Sequence, residues 1–233
     1  GLQLESIPAT FLLIQAHHHP GRWHLGYAPS KSFEISGPGV DTAMLWSTIA
    51  MTAMLVFAIG WALYRLFAGG WTTRTTMAFF TVMVLLLIAT NKVFSPQYIV
   101  WLGPLLAVVI RQRLPRGFAS LKVLQGLIAV CTIVAAGLGT LVYPFNYDYI
   151  WQYVGEKMFP VYVLAARNIL ILVMVLIGLI WLGLEVAFSK RLARAEGEQP
   201  DSPSALPADT AAPAHAQPVA QDLGGLKPTR TTP

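Results

Sequence analysis

Residues 43–64 read AMLWSTIAMTAMLVFAIGWALY, an unbroken run without a charged side chain. At the α-helical rise it reaches about 33 Å, enough to cross a hydrocarbon core of about 30 Å. Four further apolar segments follow, at 77–90 (MAFFTVMVLLLIAT), 98–110 (YIVWLGPLLAVVI), 123–143 and 161–188. The fold class is therefore an all-α integral membrane bundle of about five transmembrane helices. Segments 77–90 and 98–110 are short for full spans, yet together too long for one. Pro96 interrupts them, so two helices joined by a tight loop are expected, with a re-entrant pair as the alternative.

Composition agrees with this reading. Hydrophobic residues make up 55% of the chain and charged residues 12%, about half the charged share of a soluble domain. The net charge of +5 sits in short loops beside apolar runs and not in a stripe interleaved with stacking aromatics, which argues against nucleic acid as a partner. Arg65 and Arg74 follow the first span, Arg111, Arg113, Arg116 and Lys122 separate the third and fourth, and Lys190, Arg191 and Arg194 follow the fifth. The alternate loops are poor in charge: NKVFSPQ holds only Lys92, and NYDYIWQYVGEKM sets Asp148 and Glu156 against Lys157. Positive-inside bias and span parity give one topology, a multi-pass plasma-membrane protein with an extracytoplasmic N-terminal segment and a cytoplasmic C-terminus.

Residues 1–41 are expected to form an ordered external loop. SIPATFLLIQA suits a short half-buried helix with Ser6 as N-cap and Pro8 in its first turn. Ser32 to Ser36 suits a short strand, and Trp23, Tyr27 and Phe33 argue for packing. The loop 144–160 is rich in aromatics (Tyr147, Tyr149, Trp151, Tyr153, with Tyr143 just before it), as an interfacial belt requires. Residues 189–233, rich in Ala, Pro, Ser and Thr and lacking aromatics, read as a disordered cytoplasmic tail.

Few residues carry chemistry. In Asn91-Lys92-Val93-Phe94-Ser95-Pro96-Gln97-Tyr98 a cation, an amide and a phenol fall close together at the external face. A lysine at the hydrocarbon edge suits a lipid-borne phosphate; the plainer reading is a snorkelling side chain beside a helix-ending proline. Arg167-Asn168 lies within the last span, where an arginine is costly and faces the protein interior. It reads either as a second phosphate contact or as a structural ion pair with Asp148 or Glu156. Glu185, near the cytoplasmic end, reads as snorkelling. Gln3 and Glu5 precede the half-buried helix, where a carboxylate can meet a sugar hydroxyl or the helix dipole. His17, His18, His19 and His24 lack companion ligands at metal spacing and read as a surface loop. Cys131 is a small packing residue in an apolar run, and Gly126, Gly137 and Gly139 stand at helix-packing spacing in the fourth span.

The segment NKVFSPQYIVWLGPL (91–105) resembles a motif of glycosyltransferase family 87, polytopic enzymes of the GT-C superfamily best known from actinobacteria. GLQLESIPAT (1–10), a loop ending ISGPG (35–39), and Arg167-Asn168 opening the last apolar helix are similar to the same family, so the resemblance covers roughly residues 1–188. It implies transfer of mannose or a related sugar from a polyprenyl-phosphate donor to a lipid or polysaccharide acceptor on the outer membrane face, with no cofactor, the lipid-linked sugar being a substrate. Carried over by position, Lys92 and Arg167 contact the donor phosphate, and Gln3, Glu5, Gln97 and Tyr98 line the sugar. The superfamily's catalytic carboxylate lies in a first external loop that this chain lacks; the chain is expected to be the C-terminal half of the enzyme and inactive alone. A transporter or flippase for a lipid-linked sugar, or a noncatalytic scaffold subunit, are the rival classes.

Overall fold

A computed structural model describes residues 1–112, 114–115 and 117–197. In chain order the elements are β1 (Leu2–Gln3), α1 (Thr10–His18), β2 (His24–Tyr27), β3 (Phe33–Ser36), α2 (Val40–Ala68), α3 (Thr73–Thr90), α4 (Leu102–Arg111), α5 (Ala119–Val142), α6 (Asp148–Trp151) and α7 (Phe159–Gly197). Short 3-10 turns at Ile7–Ala9 and Pro96–Trp101 lead into α1 and α4.

Local chemistry sets the helix ends. α2 stops at Gly69, whose φ of 69° lies in the left-handed region and whose N–H donates to Arg65 O at 3.0 Å, a glycine-terminated helix end. Thr72 then caps α3 reciprocally: its hydroxyl accepts from the Thr75 N–H, and the Thr75 hydroxyl accepts from the Thr72 N–H, both at 3.2 Å. α3 ends at Asn91 in extended backbone, and the Asn91 side-chain oxygen takes the Val93 N–H at 3.0 Å.

Four helices are long and apolar enough to cross a membrane: Val40–Ala68, Thr73–Thr90, Ala119–Val142 and Phe159–Leu192. Pro96–Arg111 is shorter, but it too connects opposite ends of the bundle. Its start lies beside Phe94, whose N–H donates to the Gln3 side chain, and its finish lies beside α5, where Lys122 Nζ donates to Ile110 O. The 3-10 stretch explains how so few residues suffice: six residues at about 2.0 Å and ten at about 1.5 Å give about 27 Å. The re-entrant alternative therefore does not describe this backbone.

The bundle has two distinct ends. At one, residues from 1–40 and 142–164 come together in a core that includes Leu2, Leu13, Ile35, Val142, Ile150 and Leu164, and the 91–94 segment is hydrogen-bonded to it through Gln3; we call it the capped end. The other, the basic end, carries the α2–α3 turn, the start of α5 and the finish of α7, where the Phe118 and Phe188 rings meet edge to face at 5.8 Å. Between them a helix-only core runs through Leu85, Leu102, Leu121, Ile128 and Trp181. Outward faces carry exposed apolar side chains such as Val56, Ile59, Ile133 and Leu176, the expected dress of helices solvated by hydrocarbon.

Four expectations change. The N-terminal loop contains a three-stranded antiparallel sheet, ordered β1-β3-β2, in which only the β3 region was anticipated; Leu2 pairs Ile35, and Leu25 pairs Ile35 from the other side. α7 runs to Gly197, past the anticipated tail start at 189, because Leu192 still packs into the helix core at 4% exposure; the remainder of the tail lies outside the described residues. Of the three α5 glycines, only Gly139 abuts another element, meeting Pro96 and Arg167, while Gly126 and Gly137 face open space. Glu185 does not snorkel: it is 1% exposed and its Oε1 accepts from Trp181 Nε1 at 3.1 Å.

Candidate functional site

The capped end is organised around an ion pair. Arg167, two turns into α7, is fully buried, and its Nη1 donates to Glu5 Oε2 at 2.7 Å. Nη2 donates to the Glu5 backbone carbonyl at 2.8 Å, and Nε and Nη2 both reach the Asn168 side-chain oxygen, at 3.1 and 3.0 Å. Asn168 in turn donates to Thr10 Oγ1 at 2.8 Å and to the carbonyls of Glu5 and Ser6. Every donor edge of the guanidinium is spent, which makes the cost of burying the charge bearable. The partner is therefore Glu5 and not Asp148 or Glu156, which are both exposed on the surface. Burial pushes the Glu5 carboxyl above its usual range, and the adjacent arginine pulls against that shift.

Phe94 lies beneath the arginine, its ring centroid 4.4 Å from the guanidinium carbon, and is itself fully buried. The Phe94 N–H donates to Gln3 Oε1 at 2.7 Å, and the Gln3 N–H donates to Lys92 O at 3.1 Å. Segments 3–5, 91–94 and 167–168, far apart in the chain, thus form one hydrogen-bonded block. Lys92 has its backbone fixed in this block while its side chain is exposed. Gln97 is exposed as well, and half-buried Tyr98 stacks on Trp101 at 4.6 Å. Of the six residues singled out for a substrate, Gln3, Glu5 and Arg167 are engaged with the protein itself, and Lys92, Gln97 and Tyr98 keep surface toward the outside.

One histidine departs from the surface loop expected of it. His17 is 3% exposed, not part of a surface histidine loop: its Nε2 faces Ile150 O at 3.0 Å and its Nδ1 accepts the Gly155 N–H at 3.1 Å. These contacts demand the neutral tautomer with the proton on Nε2, and burial lowers the ring's pKa accordingly. His17 so fastens the aromatic loop before α7 onto α1. Its only sequence signal is a helical offset from Leu13, which is also buried. His18 and His19, by contrast, are exposed as expected.

No family model, no curated protein and no solved structure matches this chain; the molecule is a multi-pass helical membrane protein whose site is read from its own geometry.

Proposed function

We propose that the chain belongs to a membrane glycosyltransferase that moves a sugar, mannose or a close relative, from a polyprenyl-phosphate donor to a lipid or polysaccharide acceptor. The capped end is taken as the face away from the cytoplasm, because the cationic loops gather at the opposite end. The observation that carries the reading is the convergence of Gln3, the 91–98 segment and Arg167-Asn168 into one block. These are the pieces that resemble family 87, and a motif scattered over the chain gains weight when its parts touch.

In this reading the residues divide by role. Lys92, with an anchored backbone and an exposed ammonium at the hydrocarbon edge, holds the donor phosphate as negative charge builds on it during departure. Gln97 and Tyr98 border the sugar. Gln3, Glu5 and Arg167 position the segment that presents them. Glu5, buried and paired, is not assigned the task of taking the acceptor's proton; that carboxylate is a different residue of the enzyme.

The test uses membranes containing the complete gene product, a polyprenyl-phosphate donor with radiolabelled mannose, and a lipid acceptor. Lys92→Ala should raise KM for the donor roughly 10- to 100-fold, the worth of one charge-assisted hydrogen bond. Unchanged donor kinetics would remove Lys92 from the site. Movement of intact donor across sealed vesicles, without label reaching an acceptor, would replace transfer with transport.

A further inference from the structure

At the basic end, Arg65 poses a problem that the capped end does not. It sits one residue beyond the uncharged run of α2 and is 5% exposed. Nη1 is accounted for, donating to Gly69 O at 3.4 Å and Gly70 O at 3.2 Å, and the guanidinium lies over the Trp61 ring at 4.9 Å. Nε and Nη2, the adjacent edge of the fork, are buried and have no hydrogen-bond partner. Arg167 spends every edge; Arg65 spends one. Unmet donors on a charged group are strongly unfavourable, so this edge calls for an acceptor that the described chain does not provide.

We propose that Arg65 is the centre of a phosphate-binding site filled by the headgroup of an anionic membrane lipid. Its level is right, because the end of an uncharged span is where headgroup phosphates lie. Its chemistry is right, since the Nε–Nη2 edge matches two oxygens of a phosphodiester. Its surroundings favour a net negative lipid: Arg111, Lys122, Lys190 and Arg191 are exposed at the same end, and a zwitterionic headgroup would bring its own cation among them. The chain around it is open to the outside. Tyr64, Gly69, Gly70 and Trp71 are all exposed on their outer side, and Gly69 and Gly70 both hold φ in the left-handed region, 69° and 79°. The Gly70 α-carbon comes so close that an added Cβ would lie 2.8 Å from Nη1.

The full chain, purified in zwitterionic detergent, is mixed with phosphatidylglycerol or phosphatidylcholine and examined by native mass spectrometry. Wild type should retain one phosphatidylglycerol with roughly tenfold preference, the value of a single charge-assisted pair. Arg65→Lys keeps the charge and a donor for the Gly69 and Gly70 carbonyls but deletes the free edge; it should lose that preference while its thermal midpoint in lipid-free micelles stays near wild type. Equal retention by wild type and Arg65→Lys overturns the proposal, since bulk positive charge alone would then explain binding. Displacement of the lipid by millimolar inorganic phosphate in wild type would overturn the lipid assignment in favour of soluble phosphate. An Arg191→Gln control should retain the lipid; loss there as great as in Arg65→Lys also overturns the site.

Discussion

At the scale of single residues, Glu5 and Arg167 show how a membrane protein tolerates a charge at the hydrocarbon edge. The guanidinium meets one carboxylate, one amide and one backbone carbonyl, with no edge left over. Removing one partner leaves the other charged and buried, so Glu5→Gln should cost about 3–5 kcal/mol in reversible unfolding from mixed micelles. The double variant Glu5→Gln/Arg167→Met should lose in total at least about 1 kcal/mol less than the two single losses summed. Strict additivity would mean that the pair is not coupled. The arginine was legible in the sequence, since an intramembrane cation must find something. Its partner was not: Glu5 lies 162 positions away, and Asp148 and Glu156 looked nearer only because the chain was read as a line.

At the scale of elements, the 3-10 entry to α4 and the latch made by His17 both solve problems of reach. Pro96 sets the backbone for a 3-10 turn, which stretches a short apolar segment to about the length of a span; periodicity and length suggested this segment but not its geometry. The latch ties α1 to the loop between α5 and α7 through a neutral imidazole. Protonation would put a second N–H against the Gly155 N–H in place of the lone pair that now accepts it. Because burial lowers the folded-state pKa of His17, the unfolded chain binds more protons between that value and about 6.5, the ordinary histidine value. The latch's stabilisation is thus complete above about pH 6.5 and declines as pH falls below it. Protection factors of amides 150–155, which correct for the intrinsic slowing of exchange in acid, should fall on acidification through this window, and His17→Asn, whose amide can donate and accept but does not titrate there, should flatten the response. The exposed His18 beside it contributes to the ring's electrostatics, so His18→Gln serves as the control and should leave most of the pH dependence in place. Equal flattening by His18→Gln would assign the effect elsewhere.

At the scale of the whole molecule, what was legible depended on how the solvent acts on the chain. Hydrocarbon imposes its demand on every residue of a span, so uncharged runs and flanking cations announced the bundle. The cap at the polar end answers to pairing between distant segments, and a two-residue strand such as Leu2–Gln3 carries no periodic signal of its own. The same distinction yields a decisive test of topology. If Pro96–Arg111 crosses, Gln97 and Ala119 lie on opposite sides of the membrane; if it dips and returns, they share one. Both positions are exposed, so single cysteines placed there after Cys131→Ala will meet a membrane-impermeant maleimide from whichever compartment they face. Gln97→Cys should react in intact cells and Ala119→Cys only in inverted vesicles. Labelling of both from the same side would restore the re-entrant hairpin, and α5 and α7 would each have to reverse direction. Labelling of the two from opposite sides, but with the order exchanged, would leave the bundle intact and turn Lys92 toward the cytoplasm, where an external lipid-linked donor could not reach it. A count of crossings and the direction of the proposed chemistry are thereby separated in one pair of substitutions.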